Sequence, residues 1–396
     1  MKILQLHNRY RAHGGEDQVV EDERRSLIEH GHRVWCAYVD NSDLVGWPAL
    51  LATAWRTSYS RRARDATRRL IARVRPDVVH VHNLFPRLSP ALFDACIAEA
   101  VPAVMTLHNY RLLCANAIFL RDGRVCEECI SGSAYRSVLH GCYRGSRLAS
   151  LPVAHMIERH RRRDTWGSDV ACLITLNAFA RDRLVEAGIP RSRIEIKHNA
   201  VADPFDGEFA PPRDPGGEVR ALFVGRLSAE KGLHTLLRAW RGLDVPLRIA
   251  GGGPLASLRD QREPNVRWLG PLPRARVFQE MRRASFLVFA SEWYEGQPLV
   301  LLEAMAHGLA VISVRTAAMS ELIEDGYNGI LVDPGDITAF RAGVARLAAD
   351  PALREHLGRN ARRHFLTRFT PARSYRRLME IYGRVVGQGA PRSGDR

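Results

Sequence analysis

Two glutamates separated by seven residues stand in the segment EGQPLVLLEAMAHG, residues 295 to 308. Proline is tolerated where a helix begins, so Pro298 predicts a loop that holds Glu295 and a helix that contains Glu303. Each carboxylate can accept two hydroxyl hydrogen bonds. The pair therefore fits recognition of a polyol, whereas a single carboxylate here would be a helix cap or a solvated or salt-bridged side chain.

A pair of glycines follows the first predicted strand, in HGGED at residues 13 to 17. Gly14 and Gly15 let the backbone approach a ligand closely, and the free N–H groups at a helix start attract anions. Ligands of doubly wound sheets bind beyond the carboxyl ends of the strands, where this loop falls. The pair is a candidate anion site, although Gly-Gly also occurs in ordinary turns.

Two cations lie close together in GRLSAEKG, residues 225 to 232, after a later predicted strand. Arg226 can engage phosphate oxygens bidentately, and Lys231 adds a point charge beside a helix start. The arrangement suits a diphosphate, whereas either cation alone would be a solvated surface charge. The segment IAGGGPL, residues 249 to 255, ends another strand with three glycines and admits a flat or phosphorylated ligand.

Strands that alternate with helices must position these loops. The first half of the chain contains the strand-like runs KILQLH (2–7), RVWCAYV (33–39), DVVHVH (77–82), AVMTLH (103–108) and ACLITL (171–176). The second half contains RALFVG (220–225), LRIAG (247–251), VRWLG (266–270), FLVFA (286–290) and AVISV (310–314). Helical stretches such as 16–30 separate most of them, which predicts parallel βαβ units in an α/β fold.

A chain of 396 residues exceeds what one core usually serves, and a stretch rich in Pro, Gly and Asp interrupts the pattern at 198–220. We therefore expect two α/β domains in tandem. The expected parts are an N-terminal domain (1–200) with a cysteine-bearing insertion at about 114–145, a linker (201–219), a C-terminal domain (220–370), a terminal helix that packs back on the N-terminal domain (371–386) and a disordered tail (387–396).

Lys and Arg number 58 against 43 Asp and Glu, which gives a formal charge of +15 and favours acidic partners. No apolar run is long enough to cross a bilayer, and the first residues do not resemble a signal peptide, so we expect a cytosolic protein. Nucleic acid, an anionic membrane surface and a phosphorylated small molecule are the candidate partners.

The basic residues are concentrated in WRTSYSRRARDATRRLIARVR (55–75), where eight arginines accompany one acid, and in ERHRRR (158–163). The apolar segment LVGWPALLATAW (44–55) precedes the first block. This apolar segment and the first block together form a basic amphipathic segment suited to the cytoplasmic face of a membrane, or equally a solvated helix face.

Four of the seven cysteines fall between residues 114 and 145: Cys114, Cys126, Cys129 and Cys142. A C-x2-C pair with two further cysteines indicates a structural zinc site in a reducing compartment, with His140 as an alternative ligand. The spacing is irregular for a zinc ribbon, so ordinary core thiols or oxidised pairs remain the alternative readings.

These segments resemble, in the expected order, the retaining glycosyltransferases of family 4, and the resemblance covers nearly the whole chain. Glu295 and Glu303 match the family's Glu-x7-Glu motif, and VGRLSAEKG, AGGGPL and IEIKHNAV (194–201) accompany it. His198 and Ala200 depart from the proline and glycine that are usual there. The resemblance implies the GT-B fold, in which two Rossmann-like domains with doubly wound parallel sheets face a central cleft.

The resemblance also implies residue roles. Glu303 would hold the ribose of a nucleotide, Glu295 the donor sugar, and Arg226 with Lys231 the diphosphate whose charge builds in the reaction. His108 would lie beside the reacting sugar carbon, although a strand-end histidine bound to backbone is the alternative. The remaining positions are Gly14 and Gly15 near the phosphates or acceptor, and, at the donor, Gly225, Gly252, Gly253, Gly296, Gln297, Pro298 and Leu299.

The implied enzyme is a hexosyltransferase that moves a sugar from a nucleotide-diphosphate donor to a hydroxyl acceptor with retention of anomeric configuration and without a catalytic metal. A subgroup resemblance in TLHNYRLLC (106–114) and the basic blocks suggest a lipid-linked saccharide acceptor in surface polysaccharide (exopolysaccharide) biosynthesis, at the inner face of the cell membrane. The alternatives are a regulatory protein that binds nucleotide sugars without turnover and a zinc-containing nucleic-acid-binding protein; the second would leave the glutamates and glycine loops without a role.

Overall fold

The computed structural model describes residues 1–9, 14–41, 54, 56–205, 218–260 and 263–389. Most of the apolar segment 44–55, residues 206–217 of the predicted linker and residues 390–396 of the predicted tail lie outside the described residues. The chain divides into two compact units. Unit 1 comprises Met1–Arg121, Cys126–Asn199 and Ala372–Arg396, and unit 2 comprises Asp122–Val125 and Ala200–Pro371.

Unit 1 is built on a six-stranded parallel sheet of order β2-β1-β3-β4-β7-β8. Its strands are β1 (Lys2–Arg9), β2 (Arg33–Asp40), β3 (Val78–Asn83), β4 (Ala103–Thr106), β7 (Cys172–Thr175) and β8 (Ile194–Ile196). A short hairpin of β5 (Leu120–Arg121) and β6 (Arg124–Val125) falls between β4 and β7 in the chain. Strand β3 is buried along its whole length, as expected of a parallel strand with both faces covered.

The helices that accompany this sheet are α1 (Gly15–Glu29), α2 (Arg61–Val74), α3 (Ala91–Ala98), α4 (Glu128–Ser131), α5 (Arg136–Leu139), α6 (Arg147–Arg162), α7 (Ala178–Glu186) and α14 (Pro371–Gln388). Ser60, Ser146 and Asn177 cap three of them by accepting a backbone N–H with their side chains. The last helix, α14, packs Leu378, Ile381 and Tyr382 against the apolar residues of β1, β3 and β7. It ends at Gln388, inside the tail that the sequence predicts.

Unit 2 contains a second six-stranded parallel sheet, of order β11-β10-β9-β12-β13-β14. Its strands are β9 (Ala221–Val224), β10 (Leu247–Ala250), β11 (Val266–Gly270), β12 (Phe286–Phe289), β13 (Ala310–Val314) and β14 (Ile330–Val332). Its helices are α8 (Leu233–Trp240), α9 (Arg274–Arg283), α10 (Leu299–Ala306), α11 (Ala317–Leu322), α12 (Ile337–Ala349) and α13 (Pro351–Arg368). Apolar clusters cover the sheet: one includes residues from α10 and α13, the other residues from α8 and α12.

The ten strands predicted from the sequence are all present, and the two parallel α/β sheets confirm the predicted fold class. The strand predicted at 103–108 ends at Thr106, so His108 lies in the following loop. The edge strands β8 and β14, each of three residues, were not among the predicted strands. None of the described helices combines the length and the low polarity that crossing a bilayer requires.

Candidate functional site

Glu295 and Glu303 both lie beside the carboxyl end of β12, in unit 2. Pro298 is the N-cap of α10, so Glu295 lies in the loop before the helix and Glu303 is the fifth residue of the helix, as predicted. Both side chains are nearly buried, with residue exposures of 5% for Glu295 and 8% for Glu303. A buried carboxylate needs hydrogen bonds or a counter-charge, and each glutamate has a different set of partners.

Lys231 and Ser291 hold the Glu295 carboxylate. The Lys231 ammonium forms an ion pair with Glu295 Oε1, and Ser291 Oγ donates to the same oxygen at 2.6 Å. The ammonium also lies 5.4 Å from the centre of the Trp293 ring, within cation–π range. Two of the predicted site residues are thus in direct contact, 64 residues apart in the chain. Ser291 and Trp293 were not among the predicted residues.

Arg274, at the start of α9, orients the second glutamate. Its Nε donates to Glu303 Oε1 at 2.9 Å. A carboxylate has about four lone-pair positions, so this bond fixes the group and still permits it to accept hydroxyl groups. Arg274 was not predicted from the sequence, because nothing in the spacing relates it to Glu303. Arg226 differs from these residues, since it is exposed and has no ion pair among the described residues.

The glycines of unit 2 let three loops pack backbone against backbone. Gly251 and Gly253 have φ values of 155° and 153°, and a β-carbon on either would overlap a carbonyl group, of Gly225 and of Leu227 respectively. Gly232 has φ 69°, and a β-carbon there would overlap the carbonyl of Ala290. The loop 225–232 is therefore fixed on one side by the loop after β10 and on the other by the loop that carries Glu295.

The predicted glycine pair of unit 1 begins helix α1. Gly14 is the extended residue before the helix and Gly15 is its first residue. The Gly14 N–H donates to Asp17 Oδ2 at 3.0 Å, and Asp17 Oδ1 lies 2.9 Å from Nε2 of buried His7. Burial raises the pKa of Glu16 well above its ordinary value, and the charge of Asp17 raises it further. Two acids thus stand in the first turn, where the sequence predicts an anion site.

His108 lies beside His82, which is the last histidine of β3. His82 Nδ1 and His108 Nε2 are 3.2 Å apart and the rings stack with centroids 5.5 Å apart. Both residues line a pocket within unit 1, together with Phe85 and Arg111, whose guanidinium lies 4.5 Å from the Phe85 ring centre. Burial, followed by the neighbouring histidines, lowers the pKa of His82 to about 3 and that of His108 well below its ordinary value. Both imidazoles are neutral at pH 7.

A buried ionic cluster that the sequence did not predict adjoins this pocket through His82. Glu23 Oε2 is 2.9 Å from the Lys197 ammonium, and Glu23 Oε1 lies 3.1 Å from His80 Nδ1 and 3.2 Å from His82 Nε2. Burial raises the pKa of Glu23, but Lys197, His80 and His82 together lower it well below its ordinary value.

Glu23, His80 and His82 are also the one group within the described ranges whose metal-ligating atoms all lie within 4.8 Å of one another. Because the Lys197 ammonium already supplies the cation for this carboxylate, we assign no metal to the group.

The four cysteines of the predicted zinc site are neighbours within unit 1. Burial, followed by the charges of Cys114, Cys142 and Cys126, raises the pKa of Cys129 to about 12. All seven cysteines are free thiols. Among the described residues, no three of the four thiols lie within 4.8 Å of one another. Zinc binding would therefore require the thiols to move closer together.

The basic blocks have different structural roles. Helix α2 buries Ala63, Thr67 and Ile71 and exposes most of its arginines, as an amphipathic helix does. Much of the segment 158–163 holds the fold together instead. Arg161 donates to the carbonyl groups of Gly132 and Cys129, and Glu158 accepts from the Ala134 N–H.

Two family models match consecutive parts of this chain. "Glycosyltransferase Family 4" matches residues 13–203 and "Glycosyl transferases group 1" matches residues 205–364. The chain is a GT-B glycosyltransferase. A solved structure of HepE from Anabaena, in complex with UDP and glucose, aligns with 97% of this glycosyltransferase and 99% of its own chain, with a TM-score of 0.65 and 17% sequence identity.

Two curated relatives illustrate the reactions of similar enzymes. The glycogen synthase of Mycobacterium tuberculosis (strain ATCC 25618 / H37Rv) is 28% identical over 371 residues, which are 90% of this glycosyltransferase and 79% of the relative. The amylovoran biosynthesis glycosyltransferase AmsK of Erwinia amylovora is 28% identical over 269 residues, which are 63% of this chain and 64% of AmsK.

Proposed function

We propose that this enzyme is a retaining family 4 hexosyltransferase and that unit 2 binds its nucleotide-diphosphate sugar donor. The observation that carries the proposal is the arrangement around α10, where two nearly buried carboxylates of the Glu-x7-Glu spacing lie beside the carboxyl end of a parallel strand. Lys231 contacts one of these carboxylates, that of Glu295. Lys231 lies in the loop 225–232, where Arg226 is exposed. The carboxylates that can accept hydroxyl groups of a polyol and the cations that can bind phosphate thus belong to the same unit.

The proposed roles follow from these contacts. Glu303, fixed by Arg274, accepts hydrogen bonds from the ribose hydroxyls. Glu295 and the backbone between Gly296 and Leu299 bind the donor sugar, Gln297 and Pro298 included. Arg226 and Lys231 bind the diphosphate, and Gly225, Gly252 and Gly253 provide backbone without side chains against which the nucleotide can lie. In unit 1, we assign acceptor-side roles to Gly14, Gly15 and His108.

The reaction is a group transfer with retention at the anomeric carbon. The bond between that carbon and the β-phosphate oxygen breaks, and the leaving nucleoside diphosphate takes the bonding electrons. The acceptor oxygen attacks from the same face and its proton passes to the departing phosphate oxygen. Arg226 and Lys231 stabilise the negative charge that develops, which is the task of a divalent metal in other transferases.

We further propose that the acceptor is a saccharide carried by a lipid diphosphate at the cytoplasmic face of the membrane. The formal charge of +15 favours an anionic surface or acceptor. The likeness to AmsK, a protein of amylovoran biosynthesis, agrees with a role in surface polysaccharide assembly. We also propose that Cys114, Cys126, Cys129 and Cys142 bind a structural zinc ion, for which four thiol donors are suitable ligands.

The test combines nucleotide binding with turnover. Melting curves with UDP, GDP, dTDP and CMP identify the nucleotide, because a ligand at about 100 times its Kd stabilises the folded state by roughly 2.7 kcal/mol. Glu295→Gln is expected to lose transfer by about 100-fold or more and to keep the nucleotide-dependent shift. Glu292→Gln, in the same loop, is the matched control and should retain activity.

The outcomes separate the candidate functions. A nucleotide shift without transfer to any membrane-extracted or soluble acceptor would favour a regulatory protein that binds nucleotide sugars. If none of the four nucleotides changes the melting temperature, the roles of Arg226, Lys231 and Glu303 are wrong. Full activity of Glu295→Gln would contradict the role of Glu295 alone.

A further inference from the structure

Helix α6 begins with leucines that project from the surface of unit 1. Leu148 is 83% exposed and Leu151 is 47% exposed, and their spacing of three residues places them on one side of the helix. Leu139, at the end of α5, is 67% exposed. Single exposed leucines are ordinary in folded proteins, but several on adjacent elements form an apolar patch.

Two contacts show that α5 and α6 present these leucines on one surface. Arg147 Nε donates to the Leu139 carbonyl at 3.1 Å, which places the end of α5 beside the first turn of α6. The hydroxyl of Tyr135, just before α5, lies 3.1 Å from His155 Nδ1 in the middle of α6. Tyr135 is itself exposed, so the patch also contains an aromatic side chain with a polar end.

The charge around this patch is mainly positive, although the Glu128 carboxylate lies 3.7 Å from His140 Nε2. Residues 129–157 contain no Asp or Glu, and the next acid, Glu158, is buried against the N–H of Ala134. The exposed basic side chains on α5, on the following loop and along the exposed side of α6 are Arg136, Arg144, Arg147, Arg159 and Arg162. Exposed leucines bordered by arginines are the composition of a surface that lies on an anionic bilayer.

We propose that the surface formed by residues 135–151 docks this enzyme on a bilayer rich in anionic lipid. Leu139, Leu148 and Leu151 enter the boundary between headgroups and acyl chains, and the arginines bind lipid phosphates. A second copy of the chain is a poorer occupant, because a symmetric pairing would bring like-charged arginines together. This surface lies outside segment 44–75 and adjoins segment 158–163, the two places where the sequence suggested a membrane contact.

The inference deepens the proposed function, since a lipid-carried acceptor lies at such a bilayer, but its test requires no turnover. The purified protein is sedimented with large vesicles of phosphatidylcholine, with and without 30% phosphatidylglycerol. The expected result is binding to the anionic vesicles at low salt and release at high salt, because exposed charges are screened.

Two pairs of substitutions locate the surface. Leu148→Ser with Leu151→Ser is expected to lower the partition coefficient by about tenfold or more. Arg136→Gln with Arg144→Gln is expected to lower it by about 25-fold, because each basic residue near an anionic leaflet contributes a factor of about five. The matched controls are Leu366→Ser on α13, a leucine that is 44% exposed, and the exposed pair Arg373→Gln with Arg376→Gln on α14.

Three results would overturn the proposal. The first is equal binding to vesicles with and without phosphatidylglycerol. The second is unchanged binding of both pairs of variants. If Trp47→Ser with Trp55→Ser then abolishes binding, the membrane contact lies in segment 44–55 instead. The third is a concentration-dependent dimer in solution that the leucine variants dissociate, which would make the patch a protein interface. A wild-type protein that transfers sugar but does not bind anionic vesicles would contradict the docking surface and leave the proposed function standing.

Discussion

Replacing Lys197 by methionine is expected to leave the Glu23 carboxylate inside unit 1 without its cation. The side chains of Lys197 and Glu23 are 3% and 7% exposed, so water cannot replace the lost ammonium. Removing one member of a buried ion pair typically costs about 3–5 kcal/mol. Gln5 Nε2 still donates to Glu23 Oε1 at 3.2 Å, which favours the lower end of this range. A domain of this size would lose roughly 6–20 °C in melting temperature.

The dependence on pH has a definite sign. The pKa of Glu23 is lowered in the folded protein, so the stability that its ionised form contributes is present at neutral pH. That contribution is lost as the pH falls through the lowered pKa. In the Lys197→Met variant the main cause of the lowering is gone and burial, which raises the pKa, prevails. The deficit of the variant should therefore be largest near pH 8 and shrink as Glu23 becomes protonated at lower pH.

Calorimetry on four proteins measures this coupling: the wild type, Lys197→Met, Glu23→Gln and the double variant. The double variant should recover part of the loss, because it buries a neutral amide in place of an unpaired charge. As a control, Arg191→Met removes an exposed pair with Asp182 in the same unit and should cost less than about 0.5 kcal/mol. A loss below about 1 kcal/mol for Lys197→Met, or a double variant no more stable than the single one, would refute the reasoning.

Three further predictions concern other parts of the molecule. Gly251→Ala should destabilise unit 2 by about 2 kcal/mol or more in melting experiments, because the φ of Gly251 is 155° and a β-carbon there would overlap the Gly225 carbonyl. As the control, Gly252→Ala should be tolerated, because a β-carbon on Gly252 has Pro271 as its nearest neighbour, at 3.8 Å. His108 should stay neutral from pH 8 to pH 6, because burial and then His82 lower its pKa; an NMR titration midpoint near its ordinary value would contradict this. Elemental analysis should find about one zinc ion per chain, lost in Cys126→Ser with Cys129→Ser but kept in the control Cys36→Ser; equal zinc in all three proteins would exclude the cysteine site.

The sequence predicted those features that depend on local pattern. Buried parallel strands such as β7 and β12 are continuous apolar or β-branched runs, and Pro298 marks the start of α10, so these elements were found. The edge strands β8 and β14 have only three residues each, too few for a periodic signal. Strand β4 ends before His108, because the chain leaves the sheet there to form the loop that lines the unit 1 pocket.

Features that join distant parts of the chain could not be predicted in this way. Glu23 is 57 residues from His80 and still further from Lys197, and only the register of β1 with β3 and the packing of α1 bring them together. Arg274 is likewise 29 residues from Glu303. The H-x-H spacing in DVVHVH was the one signal available for the cluster, since alternate residues of a strand lie on the same face.

The contact between Lys231 and Glu295 links the two halves of the proposed donor site. Without a donor, the Lys231 ammonium neutralises the nearly buried Glu295 carboxylate. A diphosphate competes for the same ammonium, so donor binding must either draw Lys231 away from Glu295 or place the phosphate and the sugar on either side of one shared cation. In both cases the Glu295 oxygens become better acceptors for sugar hydroxyls at the moment when the diphosphate binds. Glu303 is held by Arg274 Nε and not by Lys231, so a diphosphate that draws Lys231 away leaves this hydrogen bond in place. The contact between Glu295 and the sugar should therefore depend on how Lys231 moves, whereas the contact between Glu303 and the ribose should not. A nucleoside monophosphate should consequently bind through Glu303 without disturbing the Lys231–Glu295 pair.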